Sequence, residues 1–463
     1  MKALALLLGP AGVGLMGMYS SVMTLISTIF GMGIGNAGVR QVAESAACHD
    51  EARIGLTVRT VKAVVLVLGL VGVVVTALLC VPISRATFGS PIYAWGIVIV
   101  SLTVFFDNVA LGQKALLQGL RRLKDLAKCT ILGALFGAVV GIALVYFFRE
   151  KGVVYFIVAG SAFGVLTSWW YSRKVEIPTP PLRLGEMKAE TKALMGLGFA
   201  FMISALLSVG STYLIRILVV RSLGMTAVGL YTATVTLSAL YVGMVINAMG
   251  ADFYPRLTGI SKDHPAMNRL VNEQTEMGVL MALPGILATL VLAPWILRIF
   301  YSSEFVSASS IIRWQVLGVA LRVVSFPMGF VILAKGMSRV FILTEFLTNA
   351  LQVGLIFVCM HAWGMTGLGI AFFIMYVANT LMLIFVCWRV TGFVWSRKAG
   401  VLMLAASGAI VATVLSVYFV DGAIGLVLGL AITAIVSAVC LYQLQKLMKF
   451  DFLQFVRSHI SRK

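Results

Sequence analysis

Eight ionisable side chains stand inside long apolar runs: Arg40, Lys114, Arg216, Arg313 and Arg322 among the bases, Asp107, Asp252 and Glu345 among the acids. A charge in an apolar span must face protein or water, pair with a partner, or bind a ligand. The excess of cations suits an anion. An arginine fork matches phosphate and pyrophosphate oxygens, and a lysine adds a point charge. The three acids are candidates for a coupling or structural role.

Spacing groups these residues. Asp107, Leu111, Lys114 and Gln118 fall at i, i+4, i+7 and i+11, one face of a helix. Ser204, Ser208, Thr212 and Arg216 are each four apart, Glu345, Asn349 and Gln352 follow the same rule, and Gln315 and Arg322 are two turns apart. Polar stripes on apolar cylinders must face protein or water. The simplest arrangement is two bundles facing each other across a hydrated cavity. Arg216 and Arg322 lie deepest in their spans and are the favoured cavity-lining cations. Arg40 and Arg313 lie nearer span ends, where snorkelling accounts for them equally well. Asp107 with Lys114, and Glu345 with a neighbouring arginine, also read as internal structural pairs.

The elements that carry these stripes follow from composition. The chain has 463 residues, a mean hydropathy of +1.01, 60% hydrophobic residues and only 11% charged ones. A soluble domain cannot hide that much apolar surface. Runs of about 20 apolar residues recur, the length a bilayer requires of a helix. An all-α polytopic membrane protein is expected, and the alternation of a membrane β-barrel is missing.

The net charge of +19 is that of basic loops at anionic headgroups. No basic run is interleaved with aromatics, so no nucleic-acid partner is expected. Cys48, Cys80, Cys129, Cys359, Cys387 and Cys440 are scattered and read as small hydrophobes, and the four histidines are dispersed, so no metal site is expected. There is no G-x-S-x-G and no G-x-x-x-x-G-K-[ST]. The chain reads as no enzyme and needs no cofactor. Gly31-Met32-Gly33-Ile34-Gly35 lies in an apolar span and reads as close helix packing.

An internal repeat organises the chain. Gly9, Val13, Gly14 and Leu15 match Gly224, Val228, Gly229 and Leu230 at an offset of about 215. Both copies have a turn, an apolar helix and an arginine after it. This predicts an N-terminal lobe over 1–172, a cytoplasmic linker over 173–191 with Pro178, Pro180 and Pro181, and a C-terminal lobe over 192–390. Residues 391–463 are expected to be an extra helix pair and a basic cytoplasmic tail on the membrane surface. Each lobe has six helices. Met1–Leu8 is expected to be the end of a first helix whose beginning is absent, leaving about 13 complete spans. The next helix is predicted over about 14–47. Alternate loops carry about 25 and about 5 Lys and Arg residues, which predicts a cytoplasmic C-terminus.

Several strings resemble a known family. Gly9-Pro10-Ala11-Gly12-Val13-Gly14-Leu15, Phe88-Gly89 and Gly119 with its basic follow-on are among them. So are Tyr254-Pro255-Arg256-Leu257, Phe305, Trp314-Gln315-Val316-Leu317-Gly318 and Leu333-Ala334-Lys335. Over about residues 5–390 the chain resembles the polysaccharide-repeat flippases, of the O-antigen or common-antigen lipid type. These belong to the multidrug/oligosaccharidyl-lipid/polysaccharide exporter superfamily. The nearly absent first helix and the extra C-terminal pair depart from the pattern.

The resemblance implies two six-helix lobes and alternating access in the bacterial inner membrane. The implied cargo is an undecaprenyl-pyrophosphate-linked oligosaccharide for lipopolysaccharide O-antigen or a related surface polysaccharide. Arg40, Lys114, Arg216 and Arg322 would compensate the pyrophosphate, and Asp107 or Glu345 would carry a coupling ion. Membrane lipids, a polysaccharide polymerase and a chain-length regulator are the implied partners. Alternatives are a lipid II-type flippase, a cation-coupled multidrug exporter, in which acids would be essential, and a membrane polymerase or ligase.

Overall fold

A backbone surrounded by hydrocarbon must satisfy its own N–H and C=O groups, and these apolar runs do so as helices. The computed structural model describes residues 1–48, 51–175, 184–420 and 422–448. Its helices are α1 (Lys2–Gly31), α2 (Ile34–Ala47), α3 (Glu51–Leu78), α4 (Cys80–Phe88), α5 (Ala94–Gly119), α6 (Leu123–Phe148) and α7 (Gly152–Ser172). They continue with α8 (Leu184–Gly259), α9 (His264–Phe300), α10 (Ser309–Ala334), α11 (Ser338–Trp363), α12 (Thr366–Thr391), α13 (Arg397–Phe419) and α14 (Gly422–Met448). Among the described residues eleven stretches are long and apolar enough to cross a membrane; Leu123–Ser172 holds both α6 and α7, and Met187–Leu240 is kinked at Gly224. The expected count of about 13 spans is met. The chain is a multi-pass membrane protein.

The two Gly turns are kinks inside continuous helices. Gly9 has φ 64 and ψ −170, and Gly224 has φ 83 and ψ 178. Positive φ with extended ψ is a conformation that glycine alone adopts readily. Pro10 then begins the next helical segment without a backbone donor, which suits a helix start.

One expected element divides. The helix predicted over about 14–47 breaks between α1 and α2, where Met32 (φ 43) and Gly33 (φ 62) are both left-handed. Apolar composition carries no sign of this break. Glycines on both sides of Met32 make the turn possible.

The chain divides into two compact units, Met1–Leu230 and Tyr231–Lys463. In the first, α5 is central, packed on α1, α2, α3 and α7, and α6 pairs with α7. That pairing is close because Gly133, Gly137 and Gly141 are the buried face of α6. In the second unit α10 packs on α9 and α12, while α13 and α14 pack on α9 and on each other. Within the expected linker and tail, residues 176–183 and 449–463 lie outside the described residues.

Candidate functional site

In the first unit a cavity of about 400 Å³, lined by both polar and apolar residues, opens beside the α1–α2 break. Asp107, Leu111 and Lys114 of α5 line one wall, as their spacing predicts. Thr24, Ser27 and Thr28 come from α1, Asn36 from α2, and Phe201, Met202 and Ala205 from α8. Gln118, on the same predicted face, does not line it. Ser161 of α7 hydrogen-bonds to Asp107, and Lys114 lies within electrostatic reach of the same carboxylate. The cavity thus offers a cation, an anion and hydroxyls from membrane-spanning helices, and an amide from the short helix α2.

Helix α8 packs against the rest of this unit on both sides of the cavity. On the Gly14 side, the Arg216 guanidinium donates to Gly17 O at 2.7 Å and also to Ser21 Oγ. The Tyr213 and Thr87 hydroxyls bond at 2.6 Å, and Arg221 donates to Ala86 O at 2.5 Å and Arg85 O at 3.3 Å, capping α4. A Cβ at Gly14 would meet Gly229 N at 2.9 Å, and one at Gly229 would meet Gly14 N at 3.0 Å. On the Gly33 side, Thr57 donates to Glu190 at 2.7 Å. Leu194 is buried among Ile34, Ala37, Val61 and Val65. A Cβ at Gly33 would meet Phe201 Cβ at 2.9 Å, and Gly198 lies against the Met32 carbonyl. The reading of Gly31–Gly35 as close helix packing holds here, with the packing made at a helix break.

The second unit holds a different cavity, of about 570 Å³ and almost wholly apolar. Its walls are helical faces: Val279, Leu283 and Ile286 of α9, Leu317, Leu321 and Val324 of α10, Phe373 and Val377 of α12, and Met403, Ile410 and Val414 of α13. One helix of the extra C-terminal pair, α13, therefore supplies one wall of the apolar cavity.

The remaining candidates separate. Arg40 is 60% exposed and ion-paired at 2.7 Å with Glu44. Asp252 and Arg256 form an exposed pair at 3.0 Å. Arg313 donates Nε to Leu290 O at 3.1 Å, and its guanidinium lies 5.3 Å from the centre of the Tyr418 ring. Tyr376 lies within electrostatic reach of both Arg322 and Glu345, so α10, α11 and α12 bring those two candidates to one neighbourhood. Gln315, two turns from Arg322, is fully buried. Among the described residues no cluster of three or more His, Cys, Asp or Glu could hold a metal. The sequence reading missed Asn268, Asn272 and Glu276, although their spacing of four marks one face of α9.

This helical arrangement is the fold of the multidrug/oligosaccharidyl-lipid/polysaccharide class. A solved lipid II flippase, MurJ, in an inward closed conformation matches with a TM-score of 0.66 at 15% identity, covering 95% of this chain and 94% of that one. An inward-facing multidrug resistance MATE transporter matches with a TM-score of 0.68 at 14% identity, covering 82% and 91%. A family model described as "Polysaccharide biosynthesis protein" matches residues 3–310, and the chain belongs to that family. It is similar to the lipid III flippase of Escherichia coli (strain K12), 23% identical over 354 residues, 74% of this chain and 82% of that protein. The lipid III flippase of Shigella flexneri matches to the same extent.

Proposed function

We propose that this chain is a flippase for an undecaprenyl-pyrophosphate-linked oligosaccharide. It moves repeat units across the bacterial inner membrane by alternating access, for O-antigen or a related surface polysaccharide. The observation that carries this reading is the cavity of the first unit, where Lys114 stands among Thr24, Ser27, Thr28 and Asn36. A lysine suits a diphosphate, and hydroxyl and amide groups suit sugar hydroxyls. Both interactions strengthen where water is excluded. The apolar cavity of the second unit suits the polyprenyl chain, which is stabilised by apolar burial. Membership of a polysaccharide biosynthesis family and similarity to two lipid III flippases support the same cargo class.

The residues then have distinct tasks. Lys114 compensates the diphosphate, and Asp107 carries a coupling ion or orients Lys114. Arg216 holds α8 on α1 beside the cavity, and Arg322 with Glu345 forms a second charged station. Lys and Arg asymmetry between loops favours a cytoplasmic C-terminus. A polysaccharide polymerase and a chain-length regulator are the partners this role calls for.

A lipid II-type cargo is the second reading, favoured by the match to MurJ over 95% of this chain. Complementation separates the two. The proposal expects rescue of a strain lacking its repeat-unit flippase and no rescue of one lacking its peptidoglycan-precursor flippase. The reverse pattern overturns it.

A further inference from the structure

Helix α13 is fastened at both ends across the apolar cavity. At its start, α9 presents Asn268, Asn272 and Glu276 on one face to the segment joining α12 and α13. Asn268 Nδ2 donates to Thr391 O at 2.9 Å. Asn272, only 5% exposed, donates Nδ2 to Val394 O at 3.2 Å and accepts the Ser396 N–H on Oδ1 at 2.8 Å. The Ser396 hydroxyl donates to Glu276 at 3.3 Å and accepts the Ala399 N–H at 3.0 Å, capping α13. At the far end, Arg313 ties α10 to Leu290 O of α9 and lies over the Tyr418 ring of α13.

Between these points α13 buries small residues, Ala399, Ala406, Thr413 and Ser416, and packs on α9 and α14. The cavity separates it from α10 and α12. The walls of an apolar gap gain dispersion contacts when they close on each other. Apolar packing is non-directional and would let α13 collapse inward. The hydrogen bonds and the cation–π contact are directional, so they can hold a fixed separation.

We infer that the two fasteners, Asn272 with Ser396 and Arg313 with Tyr418, set the stand-off of α13 and thereby which lipid chains the apolar cavity accepts. This rests on the flippase reading and its lipid-bound cargo. It makes Asn272 and Tyr418 positioning residues for chain selection, acting through α13.

The test uses the full chain in proteoliposomes. Its probes are a sugar pyrophosphate on a full-length polyprenyl chain and the same headgroup on geranyl. Wild type is expected to move the long-chain lipid in preference. Asn272→Ala and Tyr418→Leu are each expected to reduce that preference roughly tenfold, while Tyr418→Phe, which keeps the ring, preserves it. Equal slowing of both lipids, or an unchanged preference in well-folded variants, overturns the fastener role. A wild type that moves neither lipid removes the flippase reading, and this inference with it.

Discussion

Gly14 and Gly229 stand backbone against backbone, each occupying the space a side chain on the other would need. They also stand 215 positions apart in sequence, as do Gly9 and Gly224, whose backbones share one unusual conformation. The kinks thus deliver each helix to a crossing that only glycine permits. A methyl group at Gly229 must displace the Pro10 carbonyl and Gly14. Gly229→Ala is expected to lower stability by about 1–3 kcal/mol and to reduce transport, while Gly210→Ala, with open space around it, leaves both unchanged. Thermal unfolding and transport of the two variants, measured side by side, check this.

Arg216 holds α8 on α1 through Gly17 O and Ser21 Oγ. If this is one interaction, Arg216→Ala and Ser21→Ala will be non-additive. A double-mutant cycle on unfolding should return a coupling of about 0.6–2 kcal/mol. Strict additivity would place the contribution of Arg216 elsewhere.

Lys114 and Arg40 were both candidates by sequence, and their surroundings in the structure differ. Lys114 lines the cavity of the first unit, whereas Arg40 is exposed and paired along its own helix. Lys114→Ala is expected to reduce transport at least tenfold, with Lys114→Arg retaining most of it. Arg40→Ala should stay within about 0.5 kcal/mol of wild-type stability and near wild-type transport. Surface polysaccharide at matched protein levels reads the difference.

Filling the apolar cavity should uncouple stability from function. Ala320 faces it from α10, and Ala320→Phe projects a ring into it. Stability should hold or rise, since removing void volume contributes roughly 24 cal/mol per Å³. Long-chain lipid transport should fall. Unimpaired transport in a stable Ala320→Phe variant would show that the chain does not enter this cavity.

The spans were legible because each is a long apolar run with Gly, Pro or charges at its ends. The shared face of Asp107, Leu111 and Lys114 was legible because a helix converts spacing into direction. The break at Met32–Gly33 was not, because the residues around it are apolar throughout and the turn depends on close approach of Gly198. The partners of Arg216 were equally hidden. Gly17 O is a backbone acceptor on a helix almost 200 residues away in sequence, and no pattern of side chains announces it. Asn272 followed the same i, i+4 rule as the stripes that were found. Its role could not be read because its partners outside its own helix are backbone atoms of a connector with no regular period.

The proposed activity is movement of a polyprenyl-diphosphate-linked sugar between leaflets. The most direct measurement reconstitutes the chain in liposomes with that lipid and follows the fraction of headgroup newly accessible to a membrane-impermeant enzyme. Protein-dependent transfer is expected, suppressed by Lys114→Ala and not by Arg40→Ala. Transfer equal to that of protein-free liposomes, or equal in wild type and Lys114→Ala, would contradict the proposed activity.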